Sequence, residues 1–513
     1  MMVPNGAQIM KTSIKLSSLT ALIVGMLILS ISLPAYAVDT VTPIPTQTNA
    51  KPVPFFIGQA AVENPILPEP RSIPRNPGMA EGSWGTYHHD TYQSDTYFIS
   101  GPLGHNPIVT SVLLGHAVVP ITFFKDGLIV AGSLHYGDGG AGWWQLNLID
   151  PVTLSTLDQF PLPVDILEGT FYPLGAYWYV DNEDRIVVAT TEQSIWLVSH
   201  TGNAFNQSPL KYDLKGEING DDDIRYLAPD FGGLIWFITR KGIVGTLNKE
   251  AEPGNRVQTT LLPAGAVYDN GIAIDEDGGI YFNSSKAMYR YDADQNGVPV
   301  QTWVEPYDGG THVKVISRGS GTTPTLMGTD YVTIVDNADP QMHVLVYRRA
   351  KDVQGNRLVC AVPVFQPGQS ATENSLIATD KSIIVGNNAG YGVDPKEVEH
   401  GRTTKPGFTR IDIDEDGYGC HIVWTNQEIG PIAAPKLSVK NGLIYSVTKD
   451  KGPANTDAWY FTAMDFYTGE TVYKVLTGPG PLYNTWVDCL YIGPNGRAYW
   501  GVKSGIVSVY DGP

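Results

Sequence analysis

One pattern recurs along most of the 513-residue chain and limits what it can become: a short apolar strand, a turn of Asp, Asn or Gly, a second apolar strand, then a third. One copy reads Gly271-Ile-Ala-Ile-Asp-Glu-Asp-Gly-Gly-Ile-Tyr-Phe282, and another reads Ser375-Leu-Ile-Ala-Thr-Asp-Lys-Ser-Ile-Ile-Val385. Further copies begin near Pro120, Tyr177, Tyr226, Pro324, Pro435 and Cys489. The starts lie about 53 residues apart, the spacing of propeller blades. Strand runs are rich in Val, Ile, Tyr and Phe, and no helix-period stripe of several turns interrupts them. A unit of this kind cannot bury both faces alone, so the copies must pack on one another. The expected fold is all-β: a single eight-bladed β-propeller, or a seven-bladed one if the Tyr177 and Tyr226 starts are misassigned. The last copy supplies three strands, at Cys489–Ile492, 497–500 and 506–510. The strand-like segment Pro107-Ile-Val-Thr-Ser-Val-Leu-Leu114 is predicted to add the fourth and so close the ring without a free edge.

A second landmark follows the third strand of several copies. It reads Tyr291-Asp292-Ala-Asp-Gln-Asn296-Gly297 before Trp303, Ile411-Asp412-Ile-Asp-Glu-Asp416-Gly417 before Trp424, and Met464-Asp465-Phe-Tyr-Thr468-Gly469 before Tyr473. Asp and Gly make a hairpin turn, and the aromatic residue on the outer strand packs between blades. Asp412-x-Asp414-x-Asp416-Gly417 opens like a calcium loop, but Val423 stands where the closing Glu belongs, and Trp303 does so in the other copy. Ordinary turns are expected at both.

This repeat resembles that of the pyrroloquinoline-quinone (PQQ) type, quinoprotein-like propellers. The segment Trp84-Gly-Thr-Tyr-His-His-Asp90, with Ser94-Asp-Thr-Tyr97 and Gly101-Pro102, resembles the entry segment of that superfamily. The resemblance implies the fold more than any activity. Quinone dehydrogenases of this type place an adjacent-cysteine pair beside the cofactor. Here neither such a pair nor a CxxCH haem motif occurs, which argues against PQQ as cofactor.

Lys11 and Lys15, an apolar run from Leu19 to Leu33 and Ala35-Tyr36-Ala37 have the form of an export signal, assigned to residues 1–37. Residues 38–82 are Pro-rich and read as an extended arm, and 83–513 as the propeller. A secreted or periplasmic protein without a transmembrane anchor is expected. Of the three cysteines, Cys360 and Cys420 fall on outer strands of neighbouring copies, a placement that disfavours their pairing, and an odd count leaves one unpaired. A net charge of −18 argues against nucleic acid as partner.

In a propeller, the starts of the inner strands surround a central funnel. Alignment of the copies places His116, Glu168, Arg225, Asn270, Glu373, Asn374 and Asp488 there. Acids and amide oxygens suit calcium. Asn270-Gly-Ile-Ala and Glu373-Asn374 resemble inner-strand motifs of calcium-dependent lactonase propellers, which implies Glu373, Asn270 and Asp488 as metal ligands. In a hydrolase of that kind, Glu373 or Asp488 would be the base and Arg225 would hold developing negative charge. The reading favoured here is a binding protein that takes a small molecule or polymer, or a partner protein, at the funnel. Pro395–Pro406, with His400, is a polar insertion within the sixth copy; a loop there could overhang the funnel as a lid, but a solvated surface loop is expected. The same stretch holds Tyr391, Asp394 and the candidate ligand contacts Asn387 and Asn388, and is the most distinctive local sequence. His88 and His89 are adjacent, so a regular strand would point them to opposite faces, and a surface or packing role is expected.

Overall fold

The computed structural model describes residues 41–47, 52–81, 85–136, 142–166, 177–218, 220, 222–268, 270–310, 317–392, 394–451, 456–485 and 488–513. The export signal assigned to 1–37 lies outside these residues, as does Glu168. Among the described residues no helix is long and apolar enough to cross a membrane.

Eight antiparallel sheets stand in a ring, and they are the eight copies read from the sequence. Blade 1 runs Ala117–Phe123, Ile129–Tyr136, Gly142–Ile149, Thr156–Ile166, from the axis outward. The inner strands of blades 2 to 7 are Tyr179–Val180, Ile224–Pro229, Ala273–Ile274, Thr325–Met327, Ile377–Ala378 and Lys436–Ser438. Blade 8 is built from Asp488–Ile492, Ala498–Val502 and Gly505–Asp511, and its outer strand is Pro107–Leu113. That strand pairs antiparallel with Gly505–Asp511 from Pro107↔Asp511 to Leu113↔Gly505. The ring is therefore closed by a strand from early in the chain, as the sequence predicts.

Several inner strands end in a turn organised by its own side chains. Asp275 Oδ1 accepts the backbone N–H of Gly279 at 2.8 Å, and Asp230 Oδ1 accepts those of Gly232 and Leu234, each at 2.9 Å. The outer hairpins work in the same way. Asp294 Oδ1 accepts from Asn296 and Val298, and Asp465 Oδ1 from Tyr467 and Thr468. These are Asx turns, in which a short carboxylate replaces a backbone acceptor. Asp292 and Asp412 instead pair with Arg290 and Arg410 on their own strands.

Large aromatic side chains fill the space between blades. Trp144, Trp236, Trp459 and Trp500 are at most 1% exposed. The outer-strand aromatics sit where the repeat puts them. Trp303 of blade 4 lies under the Arg357 guanidinium of blade 5, and Trp424 of blade 6 donates to Phe466 O of blade 7 at 2.9 Å.

Cys360 and Cys420 form a disulfide, contrary to the expectation that they stay apart. They lie on the outer strands Leu358–Pro363 of blade 5 and Cys420–Asn426 of blade 6. The blades stand close enough side by side to bring the two Cα atoms to 6.0 Å, within bridging range. Cys489 is free and buried. The bridge closes a loop of 60 residues, so replacing both cysteines by Ser should lower unfolding stability by about 2–4 kcal/mol. Urea denaturation of the double variant measures this, and an unchanged midpoint would show that the bridge constrains little.

The Pro-rich arm is held along the propeller. Phe56–Gly58 adds a strand outside Thr471–Pro479 of blade 7. Ile66 then bonds to Val439 O, Asn76 Nδ2 to Pro229 O, and Ala80 to Val180 O, which carries the chain from blade 7 past blades 3 and 2. Gly58 has φ +89°, and a Cβ there would lie 2.1 Å from Val472 O, so the approach of arm to blade needs a glycine.

Candidate functional site: a closed axis and an open rim cleft

The axis of the ring is occupied by the chain itself. After the arm, residues 86–97 wind around the centre and give one backbone carbonyl to each of four successive blades. Thr91 O accepts from Ile274, Tyr92 O from Leu326, Ser94 O from Ala378 and Asp95 O from Leu437, at 2.7 to 3.0 Å. The donors hold equivalent positions near the ends of four inner strands, whose axial edges would otherwise present unpaired N–H groups. Thr96–Tyr97 continues as a parallel strand against Leu437–Ser438. His89, Gln93 and Asp95 have positive φ, so the segment is a coil and the alternation expected of a strand does not apply to His88 and His89. Both histidines are buried at the centre, at 2% and 6% exposure.

A polar network fixes this coil. His88 Nδ1 lies 3.1 Å from Asp95 Oδ2, and His88 Nε2 lies 3.1 Å from Ser375 Oγ of blade 6. Lys436 of blade 7, fully buried, pairs with the other oxygen of Asp95. Burial pushes the His88 imidazole down, so at neutral pH it is uncharged, donating to Asp95 and accepting from Ser375. The order Ser–His–Asp is that of a charge relay. Its serine, however, is only 4% exposed, and its Oγ also accepts the Thr323 N–H at 3.1 Å. Here the relay geometry locks the central segment to blades 5, 6 and 7.

Burial also raises the carboxyl of Asp90 to about 7, against the opposing pull of its hydrogen bonds from Ser94. The folded state thus holds a proton on Asp90 that the unfolded chain releases near the ordinary carboxylate value. This stabilisation is full below about 4 and is lost as pH rises to about 7. Asp90→Asn mimics the protonated form. The stability of the variant relative to the native protein should therefore rise across that window, as read by urea denaturation at stepped pH, and parallel curves would contradict the assignment.

Around the face on which the inner strands begin, the side chains singled out from the sequence mostly tie neighbouring connections together. Glu373 accepts from Ser317 N and Ser317 Oγ, both at 2.8 Å. Asn270 Nδ2 donates to Ser320 O at 2.6 Å, and Asn374 Nδ2 to Ala433 O at 3.1 Å. Asn388 Oδ1 accepts from Thr372 Oγ1 and Glu373 N, which brings Asn388, Glu373 and Asn374 into one cluster. Asn387 Nδ2 donates to Gln369 O and Pro406 O. Asp488 is 1% exposed and accepts from Tyr491 OH and Gly501 N. Its carboxyl is raised to about 7 by burial. Arg225 is buried beside Asp223. His116 stands apart at blade 1, where its ring lies 3.5 Å from that of His135, which stacks on the 40%-exposed Trp143. Among the described residues no three His, Cys, Asp or Glu side chains gather as a metal-ligand set.

The blade 6 insertion is solvated at Asp394, Lys396, Glu397, His400, Arg402 and Lys405, as expected of a surface loop, and its remaining side chains clasp the neighbouring blades. Tyr391 is fully buried and donates to Thr485 O at 2.7 Å. Asp457 of blade 7 accepts from His400 N and Gly401 N, and Lys449 donates to Val398 O. Glu399, 2% exposed, pairs with Lys503 of blade 8 at 2.6 Å. The insertion's polar sequence satisfies the buried Lys449 and Asp457 of blade 7 and the half-buried Lys503 of blade 8.

An open cleft of about 370 Å³ lies on the same face, at the rim of blade 4. Gly265 and Val267 line it from the connection entering the blade, Ser285 and Lys286 from the turn between its second and third strands, and Tyr307–Gly310 with Arg318 and Gly319 from the connection leaving it. The loops are pinned: Val267 N donates to Ser285 Oγ, Tyr307 OH donates to Ser284 O, and Ser320 N donates to Tyr307 OH. Gly309 and Gly319 pass so close to Ser285 that a Cβ on either would lie 2.6 to 2.8 Å from Ser285 O. The sequence reading missed this cleft because its residues fall outside the inner strands. The signal available was the concentration of Gly265, Gly309, Gly310 and Gly319 around Lys286 and Arg318.

No family model matches the chain. It is 26% identical over 333 residues to an uncharacterized protein of Archaeoglobus fulgidus, a match spanning 58% of this chain and 63% of that protein's length. Among solved structures, it is similar to the C-terminal WD40 domain of Sif2, with a TM-score of 0.45 and 10% identity over 79% of this chain and 99% of that one. It is also similar to a streptogramin B lyase, with a TM-score of 0.40 and 13% identity over 79% and 97%. These structural neighbours are β-propellers.

Proposed function

We propose that this protein is an exported propeller that binds a small molecule, or a segment of a polymer, on the face where the inner strands begin, without quinone chemistry. The observation that carries this reading is the open cleft at the blade 4 rim, beside an axis that residues 86–97 enter. The chain spends residues 86–97 on filling the centre, yet leaves on one face a concave site of about 370 Å³ with pinned walls. Ligand sites are typically pre-formed clefts of about 300–1,000 Å³ with a few convergent polar groups. Export is supported by the apolar N-terminal run with its small-residue cleavage pattern, and by the Cys360–Cys420 bridge, which suits an oxidising compartment.

Val267 is 37% exposed and lines the cleft, so Val267→Trp fills it from a tolerant position. A soluble metabolite and oligosaccharide collection should contain ligands seen by saturation-transfer NMR with the native protein and lost with Val267→Trp. Ligands that bind both proteins equally would place binding elsewhere and end this reading of the cleft.

A further inference from the structure

The cleft at blade 4 carries a chemical preference. Lys286 and Arg318 line it from two different loops. Neither has an ion-pair or side-chain hydrogen-bond partner among the described residues, although the chain carries a net charge of −18 and many of its other cations are paired with acids. Among the described lining residues the acid is Asp308, which accepts the backbone N–H of Gly310 with Oδ1 at 3.0 Å, and Asp339 stands behind Gly310, where a Cβ would lie 3.1 Å from its Oδ2. Glycines form much of the remaining wall. Gly265, Gly310 and Gly319 have positive φ, and a Cβ at Gly265 would stand 3.7 Å from Lys286 Nζ. A ligand can therefore approach the backbone and the ammonium together.

We propose that this cleft is a binding site for a small organic anion, one carrying a carboxylate or a phosphate, held between the Lys286 ammonium and the Arg318 guanidinium. The inference rests on the reading of the cleft given above and adds the ligand class. Guanidinium offers a planar fork to carboxylate or phosphate, and the ammonium a point charge from the other side. Ser285, Tyr307 and Asp308 supply further polar groups in the wall, but Lys286 and Arg318 are the cations, so an anionic group is what the pair favours, and the remaining volume admits the body of the ligand. Being exposed, both charges are screened by salt, and binding weakens as ionic strength rises.

The test is isothermal titration with inorganic phosphate and with glucuronate, and with glucose as the neutral counterpart of the latter, at low and at physiological salt. The proteins are the native chain, Lys286→Met, Arg318→Met and Val267→Trp, each checked for an unchanged melting temperature. The expected result is binding of at least one anion, weakened about tenfold by each charge removal. That binding should weaken with salt and disappear in Val267→Trp, and glucose should not bind. Preference for phosphate over glucuronate, or the reverse, identifies which anionic group the site takes. Glucose binding that survives both charge removals but not Val267→Trp overturns the anion assignment and leaves the cleft a ligand site. Anion binding that persists in Lys286→Met and Arg318→Met overturns the assignment too, as does failure of both anions to bind at millimolar concentration.

Discussion

A chain begun at residue 115 is expected not to fold to a monomer. It lacks Pro107–Leu113, so blade 8 keeps three strands and exposes the edge Gly505–Asp511 along the full length of the missing pairing. It also lacks residues 86–97, so the N–H groups of Ile274, Leu326, Ala378 and Leu437 lose their acceptors at the axis. An open edge is a template for intermolecular pairing, and buried donors without partners cost about 1–3 kcal/mol each. Size-exclusion chromatography should show aggregates, and thermal melting should lose its cooperative transition. Adding a peptide of residues 41–114 during refolding should restore the monomer, because that segment meets both deficits and returns the Phe56–Gly58 strand to blade 7. A truncated chain that stays monomeric and melts cooperatively would show that the ring closes without it.

Asp95→Asn should be among the most destabilising single substitutions. It keeps a side chain that tolerates the positive φ at this position but removes the charge facing Lys436. Both side chains are fully buried, and Lys436 is held in its charged form chiefly by Asp95 against the cost of burial. Breaking a buried pair from one side costs about 3–5 kcal/mol, whereas replacing both partners by groups without charge is close to neutral. Urea denaturation should show that loss for Asp95→Asn and recovery of most of it in Asp95→Asn/Lys436→Met. A small loss in the single variant, or no recovery in the double, would show that the pair does not hold the central segment.

Much of the fold was legible because blades are local. The turn after Ile274 is made by Asp275 two and four residues from its partners, and the hairpin at Asp294 by the next few residues. The repeat therefore wrote the strands, the turns and the eight-fold count into short windows, and Pro107–Leu114 could be matched to the one blade lacking a strand. The candidate site was less legible. Alignment put Glu373, Asn270 and Asn374 at strand starts, but whether such a side chain faces the axis or crosses to a neighbour depends on where the next connection passes. For these three it passes within reach, at Ser317, Ser320 and Ala433.

Sequence alone determined the repeat, the turn chemistry and the strand that closes the ring, and favoured eight blades over seven, since each follows from periodicity or from residues close along the chain. Tertiary structure alone decided that residues 86–97 fill the axis, that Cys360 meets Cys420, that the blade 6 insertion clasps blades 7 and 8, and that Lys286 and Arg318 line one cleft. Each of these joins residues far apart in the chain, from 32 in the case of Lys286 and Arg318 to 342 for Asp95 and Leu437. Their meeting depends on how the sheets stand around a common axis, a geometry that no local pattern encodes.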